Sequence, residues 1–164
     1  MAKPTKKIVN KTVSANDVAE YILAFANETG ESVTNLKLQK MLYYAQAWHL
    51  ANFSKPLFEE DFEAWVHGPV LPSLYQKYKV FGYAPIVTEI REKDIAKKFN
   101  KSTLEFLHDV VKVYMTHGGY ELELMTHKED PWIDARQGCE PDEHSGEVIT
   151  KDSMRDYYGE KIKN

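Results

Sequence analysis

Residues 36–48 read LKLQKMLYYAQAW, and they place apolar side chains on more than one side of a helix. One stripe at helical spacing is formed by Leu38, Met41, Leu42, Ala45 and Trp48. A second side is filled by Leu36, Tyr43, Ala47 and Leu50. Because a helix that is apolar on several sides must be covered on several sides, the pattern predicts a central helix that begins at Thr34 or Asn35.

A first amphipathic helix is predicted immediately before this central helix. Ser14 has the short oxygen-bearing side chain that caps a helix start, and Asp17 places a carboxylate near the positive helix end. Apolar residues then recur at helical spacing from Val18 to Phe25. Thr29-Gly30 marks the predicted end of this helix.

The pattern changes after the central helix. Residues 62–66 are aromatic and β-branched enough to form a strand, which Gly68-Pro69 ends, and residues 86–90 are the predicted partner strand. Between the two strands, a short helix is predicted from about Pro72 to Gly82. This arrangement predicts a helix inserted into a small β element.

Four further helix signals lie in the C-terminal half. The pair Ser102 and Glu105 has capping-box spacing and starts a long helix that ends at Gly118-Gly119. The other three signals predict a short helix over 120–125, a helix capped by Asp130 with Pro131 and ended by Gly138, and a terminal helix opened by Thr150. Residues 91–101 are predicted as a loop or frayed helix, and residues 140–147 as an exposed loop.

These elements predict an α+β fold that is mainly helical, with six or seven helices and one small β-hairpin or ribbon. A chain of 164 residues can bury a core of its own, so residues 14–164 are predicted to form a single domain. Residues 1–13 contain four lysines, no acid and little to bury. This composition predicts a basic, disordered N-terminal arm.

Charge and cysteine content narrow the class of protein. Lys and Arg number 21 against 25 Asp and Glu, a formal net charge of -4, so the molecule as a whole does not attract nucleic acid. The one cysteine, Cys139, permits no disulfide within the chain and suits a reducing compartment. No stretch reaches the roughly 20 apolar residues of a membrane span, and no signal peptide is recognisable. We expect a cytoplasmic protein with no membrane contact.

No residue pattern predicts an enzyme, a metal site or a cofactor. The six histidines lack His-Glu-x-x-His spacing, and there is no second cysteine to act as a ligand. Cys139 and His144 could serve as nucleophile and base, but the acidic residues around the cysteine disfavour its thiolate. A phosphate-binding glycine loop is also missing.

Residues 65–70 read WVHGPV and form the best candidate for a special site. Gly68-Pro69 fixes a bend, and His67 can donate or accept a hydrogen bond across it. We favour a structural role for His67, as a buried side chain that binds backbone carbonyls, over ligand binding. Trp132 is likewise predicted to be a core residue that packs against the long helices.

Tyrosines supply the candidate contact residues for a partner protein. Each hydroxyl needs water or a hydrogen-bond partner, so a small core does not readily hide all of them. One side chain in each of the pairs Tyr43-Tyr44 and Tyr157-Tyr158 is expected to face outward. The predicted partner-binding residues are Tyr44, Trp48, Tyr75, Tyr78 and Tyr158, although the edges of an ordinary core explain the same tyrosines.

Three blocks together resemble the Panacea or SocA-like antitoxin family, whose members occur in bacterial and phage toxin-antitoxin pairs. The blocks are LKLQKMLYYAQAW at 36–48, EAWVHGPV at 63–70 and THKEDPW at 126–132, and the resemblance extends over roughly 14–158. The residues of these blocks that we expect to maintain the fold are Leu38, Leu42, Trp65, His67, Gly68, Pro69, Pro131 and Trp132.

This resemblance implies an antitoxin that neutralises a co-encoded toxin protein by direct contact. An adaptor that delivers the toxin to a protease is an alternative, and self-association into a homo-oligomer stays open. A nucleic-acid regulator acting through the lysine-rich arm is a second alternative. The third is an enzyme that uses His67 or His127 with a nearby acid.

Overall fold

The computed structural model describes residues 13–163, and within them the chain forms eight α-helices and one three-stranded antiparallel sheet. The helices are α1 (Ala15–Thr29), α2 (Asn35–Phe53), α3 (Pro72–Tyr78), α4 (Glu92–Ile95), α5 (Lys101–Met115), α6 (Gly119–Thr126), α7 (Asp130–Ala135) and α8 (Lys151–Lys163). The strands are β1 (Phe62–Trp65), β2 (Gly68–Val70) and β3 (Val148–Ile149). The predicted mainly helical α+β class is confirmed, and the predicted N-terminal arm lies, apart from Val13, outside the described residues.

Helix α2 is the centre of the fold. It packs against α1, α3, α5, α6, α8 and β2. Every residue from Lys37 to Ala47 is buried, including Leu38 and Leu42 of the predicted apolar stripe. Thr34 caps the helix by accepting a hydrogen bond from the Lys37 amide at 3.2 Å. The central helix that was predicted to begin at Thr34 or Asn35 is therefore confirmed.

Two glutamines on α2 hold neighbouring loops in place. The Gln39 side-chain oxygen accepts a hydrogen bond from the Leu71 amide at 2.9 Å. Gln46 accepts from the Leu57 amide and donates to the Phe58 carbonyl, both at 2.7 Å. Because these loop groups are buried with α2, each bond satisfies a backbone group that water does not reach.

Local caps place both terminal helices as predicted. The Ser14 hydroxyl accepts from the Asp17 amide at 3.0 Å, and Gly30, at φ 77°, ends α1. Helix α8 follows Thr150, whose hydroxyl accepts from the Ser153 amide at 3.1 Å.

The sheet differs from the sequence prediction. Strand β1 forms a hairpin with β2, with Trp65 opposite Gly68, and its other edge pairs with β3. The predicted partner strand, residues 86–90, is wrong: this segment forms no strand, and the Ile86 amide donates to the Val33 carbonyl instead. Gly68 adopts φ 105°, which lets the chain reverse at once, so α3 follows the hairpin rather than being inserted into it.

Two predicted helix starts are wrong in detail. Helix α5 begins at Lys101, because the Asn100 side chain caps it by accepting a hydrogen bond from the Thr103 amide at 2.8 Å. Ser102, the predicted start, lies in the first turn of the helix. Helix α7 begins at Asp130, and no side chain caps it.

Within residues 13–163, no helix combines the length and apolar content needed to cross a bilayer.

Leu42→Ala tests the central position of α2. The Leu42 side chain is fully buried, so its truncation leaves a cavity and should lower the free energy of unfolding by about 2–5 kcal/mol. Urea denaturation measures the change. The control, Leu124→Ala on the exposed side of α6, should cost less than about 1 kcal/mol. Equal losses in the two variants would contradict the central placement of α2.

Candidate functional site

A buried lysine lies beneath the β1–β2 turn. Lys40 of α2 is fully buried, and its ammonium nitrogen donates to the Pro69 carbonyl at 3.1 Å. Gly68 lies directly against this side chain: a Cβ at residue 68 would stand 2.5 Å from Lys40 Cε and 2.9 Å from the Thr126 hydroxyl. Only glycine permits this approach together with the positive φ, so Gly68 and Lys40 fit each other.

Glu123 of α6 faces the same turn and orients an exposed histidine. Its Oε2 accepts from His67 Nδ1 at 2.9 Å, and the side chains of His67 and Glu123 are 74% and 10% exposed. The burial and the carbonyl contacts predicted for His67 are wrong, because the side chain is exposed and its partner is a carboxylate on another helix. Its structural role stays a prediction. A histidine paired with an acid, as the enzyme alternative requires, is present, but the same contact also fixes the turn.

His127 completes this charge cluster, which consists of Lys40, His67, Glu123 and His127. His127 Nε2 lies 4.0 Å from Glu123 Oε2, and it is fully enclosed without a hydrogen-bond partner among the described residues. Burial lowers the pKa of Lys40 from 10.5 to about 7, against the attraction of Glu123. Burial also lowers the pKa of His127, and Glu123 again opposes the shift. The Glu123 carboxylate thus interacts with all three nitrogen-bearing side chains of the cluster.

Trp132 closes the cluster from the side of α7. Its ring stacks on His127 with 4.1 Å between ring centroids, and its indole nitrogen donates to the Trp65 carbonyl at 2.8 Å. Trp132 is half-buried and packs against the hydrophobic core, while its indole nitrogen reaches the sheet. Trp65 is also half-buried and packs edge-on against Tyr75. Of the residues that were expected to maintain the fold, those within 65–69 and 131–132 lie around the charge cluster. Leu38 and Leu42 lie in the hydrophobic core.

A second polar cluster joins α2, α8 and the start of α7. Glu129 accepts hydrogen bonds from the hydroxyls of Tyr44 at 2.7 Å and Tyr158 at 2.6 Å. Burial raises the pKa of Glu129, and both tyrosine hydrogen bonds oppose the rise. Tyr44 also stacks on Tyr114, with 4.4 Å between ring centroids. Sequence reasoning missed Glu129, although it lies in the THKEDPW block.

These contacts correct the expected exposure of the tyrosines. Tyr43 and Tyr44 are both buried, so the outward orientation expected for one of them is wrong. In the other pair Tyr158 is buried, whereas Tyr157 is half-buried and keeps part of its surface exposed. The hydroxyls of Tyr43, Tyr44 and Tyr158 find partners inside the protein because Glu129 accepts from two of them. Tyr78 is buried as well. Of the five predicted contact residues, Trp48 and Tyr75 keep part of their surface exposed.

Three of the most exposed apolar side chains lie in the segment between α3 and α4. Val80, Tyr83 and Val87 are 83%, 100% and 68% exposed. We call residues 79–87 the apolar loop. Its backbone is held by hydrogen bonds from the Gly82 amide to the Lys79 carbonyl and from the Ile86 amide to the Val33 carbonyl. Across residues 13–163, no three His, Cys, Asp or Glu side chains are grouped to hold a metal ion.

Comparison with known proteins identifies the family of this chain. The model of the family described as "Antitoxin SocA-like, Panacea domain" matches residues 38–133, more than half of the chain. The chain belongs to this family. Antitoxin SocA of Caulobacter vibrioides (strain NA1000 / CB15N) is 34% identical over 119 residues, which cover 71% of this chain and 59% of that protein. The match thus spans less than two thirds of this relative, and no solved structure matches the chain.

The SocA-like match contains both polar clusters almost completely. It begins within α2 at Leu38 and ends within α7 at Ile133, so it includes the charge cluster, Glu129 and the apolar loop. Helices α1 and α8 flank the matched region, and Tyr158 of α8 is the member of the Glu129 cluster that lies outside it.

Gly68→Ala tests the contact between the turn and Lys40. The new Cβ would meet Lys40 Cε at 2.5 Å, and alanine is strained at φ 105°. We expect a loss of about 1–3 kcal/mol in the free energy of unfolding, measured by urea denaturation. Gly159→Ala is the matched control: it lies within α8, has nothing within 4 Å of the new Cβ, and should stabilise the protein by about 0.5–1 kcal/mol. Wild-type stability of Gly68→Ala would show that the close approach does not exist.

Lys40→Met tests the titration of the buried ammonium. The folded state lowers the pKa of Lys40 from 10.5 to about 7, so the unfolded state binds more protons between these values. Wild-type stability should therefore rise with pH in this window, by at most about 1.4 kcal/mol per pH unit. Lys40→Met removes the titrating group and with it this rise. Urea unfolding between about pH 7 and 9 gives both curves. Parallel curves would show that Lys40 stays charged in the folded protein.

Proposed function

We propose that this chain is an antitoxin that neutralises a co-encoded toxin by direct binding in a stoichiometric complex. Membership of the SocA-like, Panacea-domain family carries the proposal, together with the 34% identity to a protein named Antitoxin SocA. The identity of the toxin is not part of the proposal, since the match spans 59% of that relative. The proposed setting is the cytoplasm, and the proposed binding unit is a single domain over 14–164.

The apolar loop is the surface that best supports direct binding. Large exposed apolar side chains are disfavoured on a free surface unless a partner covers them, and aromatic residues are common anchors of interfaces. Tyr83 is fully exposed between Val80 and Val87, on a backbone that hydrogen bonds to Lys79 and Val33 hold in place. A partner therefore meets a surface that is already ordered, which reduces the entropic cost of association.

The earlier contact candidates divide into two groups under this proposal. Tyr75 is half-buried and belongs to α3, the helix that directly precedes the apolar loop, so it extends the proposed contact surface. Trp48 is a second half-buried candidate. Tyr44, Tyr78 and Tyr158 are buried, and their proposed part is to maintain the fold that presents the surface.

Co-expression with the protein encoded beside this chain tests the proposed function. We expect the neighbour alone to arrest growth, and both growth and a co-purifying complex to return when this chain is present. A harmless neighbour that does not co-purify would reject the antitoxin assignment. If toxin abundance falls and this fall depends on a cellular protease, the chain acts by delivering the toxin to the protease and not by blocking it.

Tyr83→Ala tests the apolar loop within the same assay. Because the Tyr83 side chain is fully exposed, its removal should change the free energy of unfolding by no more than about 0.5 kcal/mol. The dissociation constant of the purified complex should rise at least about tenfold, which corresponds to 1.4 kcal/mol. Tyr120→Ala, at an exposed tyrosine on α6, is the control and should bind normally. Normal binding by Tyr83→Ala together with weakened binding by Tyr120→Ala would place the toxin contact on α6.

A further inference from the structure

A groove of about 500 Å³ opens where α1, α4 and α5 meet, away from both polar clusters. It is lined by Tyr21, Glu92, Leu104, Glu105, His108 and Asp109. Glu105 and Asp109 are one helical turn apart on α5, and Glu92 opens α4. Three carboxylates from two helices therefore border one open space.

Three basic side chains near the groove pair with acids outside it. Arg91 pairs with Glu28 at 3.7 Å, and Lys98 pairs with Asp17 at 3.3 Å. Lys97 pairs within its own turn. The other lysines of α4 and α5, Lys93, Lys101 and Lys112, form no ion pair with the groove acids. None of the three groove carboxylates therefore has an ion-pair partner within the part of the chain that the structure describes. Unpaired carboxylates that face one space create a negative potential that attracts a cation.

Tyr21 gives the groove a polar floor. The residue is only 1% exposed, yet its hydroxyl forms no hydrogen bond to any residue of 13–163. The hydroxyl is not among the fully enclosed unpaired atoms, so it reaches the open space of the groove. Burial and the Glu92 carboxylate raise the pKa of Tyr21 to about 12, which keeps the hydroxyl neutral. A donor that enters the groove can therefore bond to this oxygen in place of water.

We propose that this groove binds a basic side chain, a lysine ammonium or an arginine guanidinium, that the toxin supplies. Both groups carry only donors, and the groove offers carboxylate oxygens and the Tyr21 oxygen as acceptors. Leu104 provides an apolar wall for the aliphatic stem of such a side chain. This inference rests on the proposed function only for the source of the side chain.

The position of the groove fits a contact that includes the apolar loop. Only residues 88–91 separate that loop from Glu92 at the groove. Protein interfaces commonly combine an apolar centre with a charged rim. The apolar loop corresponds to such a centre, and the groove carboxylates correspond to the rim.

Amide NMR of the full chain tests the groove without the toxin. N-acetyl-arginine amide and N-acetyl-lysine amide are the probes, added in separate titrations. We expect concentration-dependent shifts centred on Tyr21, Glu105 and Asp109, and their loss in the double variant Glu105→Gln/Asp109→Asn. Asp142→Asn, an exposed carboxylate of the loop before β3, is the control and should leave the shifts unchanged. Absence of shifts at the groove for both probes would overturn the proposal.

Affinity for the toxin distinguishes the source of the side chain. The double variant should raise the dissociation constant at least about tenfold, with Asp142→Asn unchanged. Tyr21→Phe should raise it several-fold without lowering the melting temperature, because the hydroxyl has no partner to lose in the free protein. Wild-type affinity in both variants would overturn the toxin as the source while leaving direct neutralisation intact. Failure of the wild-type chain to bind its neighbour would reject the proposed function, and the probe titrations would still decide the groove.

Discussion

Helix α2 has no solvent-facing side between Lys37 and Ala47, so every polar group on this stretch must find a partner inside the protein. Gln39 and Gln46 bind loop backbone, and the Lys37 ammonium nitrogen donates to the Met115 carbonyl at the end of α5 at 2.7 Å. The same bonds that satisfy α2 therefore fix the loops and helix ends around it. Burial of one helix determines the positions of segments that are far apart in the sequence.

Lys40 is the most demanding of these groups, because a buried ammonium loses far more solvation than an amide does. The Pro69 carbonyl and the Glu123 carboxylate compensate part of this loss, and the Pro69 contact requires the β1–β2 turn to lie close over α2. Glycine at position 68 makes that approach possible. Since Glu123 also binds the exposed His67, the charge state of the core lysine and the position of a surface imidazole are linked through one carboxylate. We therefore regard WVHGPV as an element that joins core and surface.

Sequence reasoning succeeded where local interactions decide the structure. Helical spacing located α1, α2 and α3, and the caps at Ser14 and Thr34 need contacts only three residues away. It failed where distant partners decide. Strand β3 has two residues and exists because β1 offers an open edge, which no local pattern reveals. The burial of Tyr44 depends on a carboxylate 85 residues further along the chain.

The candidate site shows the same division between local and distant signals. The WVHGPV block could be recognised as special from Gly68 and Pro69 alone, but the partner of His67 lies 56 residues away on α6. The groove was also out of reach, since its acids belong to segments that read as ordinary charged surface. Glu92, Glu105 and Asp109 become distinctive only because the fold brings them to one groove together with Tyr21.

The location of the proposed contacts separates binding from folding. The charge cluster and the Glu129 cluster satisfy buried groups, so changes there act first on stability. The apolar loop and the groove carboxylates lie on the surface, and within the described residues their exposed side chains hold no other element in place. Apolar contact would supply most of the affinity, whereas the carboxylates would orient the partner and speed its approach. A net charge of only -4 does not prevent this attraction, because three acids border one groove without an ion-pair partner among the described residues.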